Sequence, residues 1–248
     1  MQSTIAKGSN VDTKTLDNRA AEVSSLASVF LFLSRCIEEE VDAELIDLIR
    51  EDLRGPLELA GLKFDDEFYK ASTESLVELL AEEYAALFVV PGCVNPYASV
   101  FETGCMFKEA ADRAIAAYHD AGWDYRRRMS GEFPDHIGTM LGFFGMLAEA
   151  EAQSLEAGDI NRADEYKAQR VSFLVEQLGS WGPGWCRRAS EAALHPFYRG
   201  LLQMTEQVLW GELEQVLDRR RLRELAKSNQ REPKRLDYDA DFRKASGI

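Results

Sequence analysis

The apolar residues of this 248-residue chain recur at three- and four-residue spacing almost from end to end, and that spacing points to helices throughout. The expected fold class is all-α, a helical bundle in two halves. Leu26, Val29, Phe30, Leu33 and Ile37 mark a first helix over 17–38, after a flexible start at 1–16. An acidic stretch from Glu38 to Asp47 follows, overlapping a short helix that Gly55-Pro56 ends. Ser75 to Glu78 reads as a capping box, with Ser72 as an earlier alternative start. Leu76, Leu79, Leu80, Leu87 and Phe88 give that helix its buried stripe. Two prolines, a glycine and an asparagine then break the pattern over 89–99 and predict a loop.

Helical spacing returns from Phe107 through Ile115 and Tyr118 to Gly122. The polar stretch 124–131, with Arg126, Arg127 and Arg128, is the expected hinge between an N-terminal half (17–123) and a C-terminal half (132–218). The second half opens on Glu132-Phe133-Pro134-Asp135-His136, a helix start with proline where its missing N–H costs nothing. Ile137, Met140, Leu141, Phe144 and Leu147 form one stripe, and Gly138, Gly142 and Gly145 another beside it. Each helical glycine costs about 1 kcal/mol relative to alanine, so the repeat implies close approach by a neighbouring helix or a ligand. A further helix carries Val171, Leu174, Val175 and Leu178 and stops at Trp181-Gly182-Pro183-Gly184-Trp185. The last runs from Pro196 to about Asp218. The tail, 219–248, has ten Lys/Arg against five Asp/Glu and few apolar residues, and is expected to be disordered.

Composition excludes several functions. A net charge of −14 argues against general nucleic-acid binding, which needs a basic face, and fits a basic partner. No run of 18 apolar residues suggests a membrane span, and 1–20 lacks the apolar core of a signal peptide. The expected location is the cytoplasm. Cys36, Cys93, Cys105 and Cys186 form no CxxC pair and read as free structural thiols. Three histidines, with Glu132 and His136 four apart, make neither a di-iron Glu-x-x-His pair nor a zincin motif. There is no nucleophile elbow and no phosphate loop. No catalytic residue, metal ligand or cofactor is expected.

Three segments stand out. Glu132-x-Pro134-Asp135-His136 places carboxylates and an imidazole at a helix start, where a pocket or the helix dipole alone would each explain an acid. Glu83-Tyr84-x-x-Leu87-Phe88 with its loop, and Trp181 to Trp185 with His195-Pro196-Phe197-Tyr198, are equally open to a packing explanation.

Taken in order, Tyr-x-x-Leu-Phe, the Pro-rich loop with Ser99, Tyr118 and Gly122, Glu-x-Pro-Asp-His, a Leu/Phe helix, a tryptophan and Pro-Phe-Tyr resemble the TorD/DmsD family of redox-enzyme maturation chaperones, over roughly residues 75–215. The resemblance implies an all-helical fold in two halves. It implies binding of the twin-arginine signal peptide of an apo molybdenum-containing oxidoreductase subunit until its cofactor is loaded. It implies a peptide site at Tyr84, Leu87, Phe88, Pro91, Pro96, Tyr97, Ser99, Asp135 and His136, with Glu132 and Met140 beside them. Tyr97 stands where a tryptophan is common in some relatives, and the connection 149–170 is longer than in compact members. A peptide with two guanidinium groups before an apolar stretch needs carboxylates beside an apolar groove; Glu132 and Asp135 are the expected arginine partners. A helical adaptor for another protein, or a metal-dependent helical enzyme, are the alternatives.

Overall fold

Ala6–Glu38 form a single helix, α1, about 50 Å long at 1.5 Å per residue. The computed structural model describes residues 6–90, 94–106, 108–126 and 133–232, with side chains from Lys14 onward. Among these residues the chain is all-α, and its only β-type feature is one isolated bridge, Tyr97 to His136.

Short helices follow α1. α2 (Ala43–Leu48) passes through a π-helical turn at Ile49–Leu53 into α3 (Arg54–Leu59); α4 is Asp66–Lys70. α5 (Thr73–Tyr84) starts where Ser72 accepts from the Ser75 N–H, so the earlier of the two sequence starts is the one used. A π-helical turn at Ala85–Val89 leads from α5 into the loop. α6 (Ala98–Thr103) and α7 (Glu109–Asp120) precede the second half. There α8 (Ile137–Glu156), α9 (Ile160–Phe173), α10 (Gly182–Ala192) and α11 (Pro196–Val216) supply the remaining large helices.

The central packing is α1 along α8, and the glycine stripe explains it. An added Cβ at Gly138 would lie 2.8 Å from the Glu38 Cβ, one at Gly142 2.7 Å from the Ser34 Oγ, and one at Gly145 2.9 Å from the Leu31 Cγ. The close neighbour is thus a helix, and Ser34 Oγ donates to the Gly138 carbonyl across it at 2.8 Å. By length and composition 14–38 would suffice to cross a membrane. Its apolar character has a second use here, because Phe30, Leu33 and Ile37 are fully buried in the core, with Phe30 on Phe144 at 4.1 Å between ring centroids.

One contiguous core runs from Phe30 to Leu213, so the expected boundary between halves is crossed by packing. Residues 127–131 of the expected hinge lie outside the described residues. In its described part, 124–126, Tyr125 packs against the core, its ring 6.3 Å from that of Tyr118. A buried ionic cluster also crosses the boundary. Arg170 of α9 donates to Glu151 of α8 at 3.0 Å and to Glu212 of α11 at 3.2 Å, while Arg19 of α1 donates to Glu151 at 3.0 Å.

The tail departs from expectation. Arg219–Asn229 form a helix, α12, capped by Asp218, whose Oδ1 accepts from the Arg220 and Arg221 N–H groups. Leu222 and Leu225 pack against the core. Asn229 is 2% exposed and accepts from the Gly184 N–H at 2.7 Å while donating to the Gly179 carbonyl at 2.8 Å. Low apolar content misled because two leucines three apart and one capping acid suffice for a short docked helix. Residues 233–248 lie outside the described residues.

Candidate functional site

The segments marked by the sequence meet on one face. The Pro96 carbonyl accepts from the Ile137 N–H at 2.8 Å, and Ala98 N–H donates to the Asp135 carbonyl at 3.1 Å. These two bonds fasten the 94–99 loop to the start of α8 and make the Tyr97–His136 bridge. The loop is held from behind as well: Trp185 Nε1 donates to the Asn95 carbonyl at 2.9 Å, and Phe88 stacks on Trp185 at 5.7 Å. Tyr84 donates to the Glu38 carbonyl at 2.9 Å and closes the C-terminal end of α1.

Most of the expected site residues build this face from inside. Tyr84, Leu87, Phe88, Pro96, Ser99, Asp135, His136 and Met140 are all buried. Pro91 and Glu132 lie outside the described residues. Tyr97 is the half-exposed member, its ring edge-on to His136 at 5.2 Å and to Phe133 at 5.5 Å. Asp135 is 1% exposed; its Oδ2 accepts from the Ser99 N–H at 2.8 Å and from the Ser99 hydroxyl, while Oδ1 is buried with no hydrogen-bond partner among the described residues. In this conformation Asp135 joins two chain segments and does not reach solvent. Tyr118 donates to the Pro134 carbonyl at 2.5 Å from the other side.

His136 caps α8, its Nδ1 accepting from the Gly138 N–H at 3.1 Å. That bond requires an unprotonated Nδ1, so the proton of the neutral ring sits on Nε2. Burial holds its pKa down to about 4. The unfolded ring takes up a proton near its ordinary pH 6.5 that the folded ring refuses until about pH 4. Its contribution to stability is therefore complete above pH 6.5 and drains away as pH falls toward 4, on the order of 2–3 kcal/mol. His136→Asn keeps an acceptor for Gly138 and removes the titration. Its melting temperature should fall less between pH 7 and pH 4.5 than that of the wild type; equal falls would contradict this account.

Beside this face lies a cleft of about 450 Å³. α8 forms one wall with Thr139, Gly142, Phe143 and Met146; Glu38 closes it from α1, and Tyr118, Trp123, Asp124, Tyr125 and Arg126 form the other side. Thr139 Oγ1 donates to Glu38 at 2.7 Å. The acidic end of α1 reaches this face through Gly138, which touches Glu38 two residues after His136, the residue that carries the Tyr97 ring; burial raises the Tyr84 pKa, and Tyr97 with Glu40, Glu38 and Glu39 raises it further. The cleft was not singled out in the sequence. Its only local signals were the acidic run after Ile37 and aromatic residues on both sides of Gly122. Among the described residues no group of three or more His, Cys, Asp or Glu side chains is placed to hold a metal ion.

By architecture the protein is an all-α scaffold whose marked segments converge on one face beside an acid-edged cleft. Its family is that of the nitrate reductase delta subunit: the family model matches residues 51–187, more than half of the chain, and the chain belongs to it. It is also similar to two proteins named chaperone protein TorD, from Vibrio vulnificus strains YJ016 and CMCP6. Each is 26% identical over 203 residues, covering 78% of this chain and 92% of the relative.

Proposed function

We propose that the protein is a cytoplasmic, non-enzymatic maturation chaperone that holds the twin-arginine export signal of a molybdenum-containing oxidoreductase subunit while its cofactor is inserted. The observation that carries this reading is the fastening of the 94–99 loop onto Asp135–Ile137, which sets the Tyr97 ring on His136, two residues before the contact of Gly138 with Glu38 at the acidic end of α1. The family match and the name of the relatives support it. So does the acidic body, since a peptide with paired guanidinium groups is drawn to a negative surface. Tyr97 offers an amphipathic contact of the kind enriched at binding surfaces. Asp135, Ser99 and His136 act by positioning that loop, and Leu87, Phe88 and Met140 by supporting it; Pro91 and Glu132 belong to the same proposed surface.

Fluorescence anisotropy with a labelled twin-arginine signal peptide tests the reading. The full-length protein should bind it, and Tyr97→Ala should weaken binding about tenfold, the equivalent of about 1.4 kcal/mol, with an unchanged melting temperature. A wild-type protein that does not bind such a peptide would sink the proposal.

A further inference from the structure

We propose that the cleft between the end of α1, the segment after α7 and α8 is the subsite that receives an arginine of the bound peptide together with the apolar side chain next to it; this rests on the reading above and locates it. Asp135, the acid that the motif marks as an arginine partner, is buried and occupied by Ser99. The carboxylates that line the cleft are Glu38 and Asp124. Glu38 is half-buried; its Oε1 accepts from Thr139 at 2.7 Å and its Oε2 lies 3.4 Å from the Ser34 hydroxyl, which fixes its direction. Asp124 is exposed and forms no ion pair among the described residues.

The rest of the lining fits the same occupant. Trp123 offers a half-buried indole, and a guanidinium stacks on such a ring better than an ammonium does. Phe143 and the 42%-exposed Met146 give an apolar patch in the same cleft, and methionine adapts readily to the shape of an incoming side chain. At about 450 Å³, the volume lies within the range of about 300–1,000 Å³ that small-ligand clefts span. The occupant is thus a cation followed by an apolar group, as in a twin-arginine segment. The cleft also carries one cation of its own. Arg126 is exposed on the rim and makes no ion pair among the described residues, so it repels an incoming arginine.

Calorimetric titration of the full-length protein tests this with two synthetic peptides, one carrying Arg-Arg before an apolar stretch and one with both arginines replaced by glutamine. Asp124→Asn should weaken the Arg-Arg peptide about tenfold, within what loss of a hydrogen bond to a charged group removes. It should leave the Gln-Gln peptide within about twofold, because the lost interaction needs the guanidinium. Glu38→Gln should do the same. Arg126→Gln should tighten the Arg-Arg peptide by about twofold to fivefold, the scale of an exposed charge pair, and this gain should shrink with salt. Asp124 is exposed, so its variant tests the cleft without risk to folding. Equal weakening of both peptides by Asp124→Asn, or wild-type binding of the Arg-Arg peptide by all three variants, would overturn the inference while leaving the chaperone reading standing. Failure of the wild-type protein to bind the Arg-Arg peptide at all would overturn both.

Discussion

Glu151→Ala is expected to destabilise the protein by about 3–5 kcal/mol, the cost of breaking a buried ion pair by removing one partner. Glu151 is 1% exposed and receives Arg170 through two nitrogens, at 3.0 and 3.2 Å, and Arg19 through a third. Removing it leaves the Arg170 guanidinium, itself 6% exposed, with Glu212 alone. For a chain of this size the melting temperature should drop on the order of 10 °C. Asp164→Ala is the control. It removes the other partner of Arg19, at 2.9 Å, but that carboxylate is 61% exposed, and an exposed pair is worth about 0–1 kcal/mol. If the two variants melt together, burial is not what gives the cluster its weight.

Asn229→Ala is expected to cost on the order of 4 kcal/mol, in contrast to the near-neutral effect that the composition of the tail suggests. The Asn229 side chain accepts from Gly184 N–H and donates to the carbonyls of Gly179 and Leu225. Its loss strands two buried backbone groups at about 1–3 kcal/mol each, at the turn that carries Trp181 and Trp185. Because Trp185 holds the Asn95 carbonyl, the loss should also loosen the Tyr97 loop. A thermal melt measures the first effect, and amide exchange at Asn95 to Ser99 the second. A variant that melts as wild type would mean that α12 is dispensable. Close contact supports the opposite: a Cβ at Gly184 would collide with the Asn229 backbone.

Helix positions were legible because a helix records its buried face every three or four residues. The α8 stripe and its glycines announced a tight neighbour, and the order of motifs identified the family. The roles of single motif residues were less legible. Asp135 is an acid at a helix start, and sequence cannot separate one that faces a ligand from one that fastens a loop; the partner that decides, Ser99, is 36 residues away. The tail misled for a related reason. Asp218, taken as the end of one helix, caps the next, and Asn229 finds its buried partners on the glycines of a distant turn; an asparagine carries no mark of its partners.

The sequence alone determined that the chain is helical, that it is acidic, and where its loops fall. Those properties are local or additive: periodicity, charge and turn chemistry are properties of short windows. Only the tertiary structure decided which side chains those loops expose. Packing α1 against the glycines of α8 sets Glu38 beside Thr139 and opposite Asp124, bringing together residues from three separate stretches of chain. A cleft is made by the space between elements, and no window of sequence contains it.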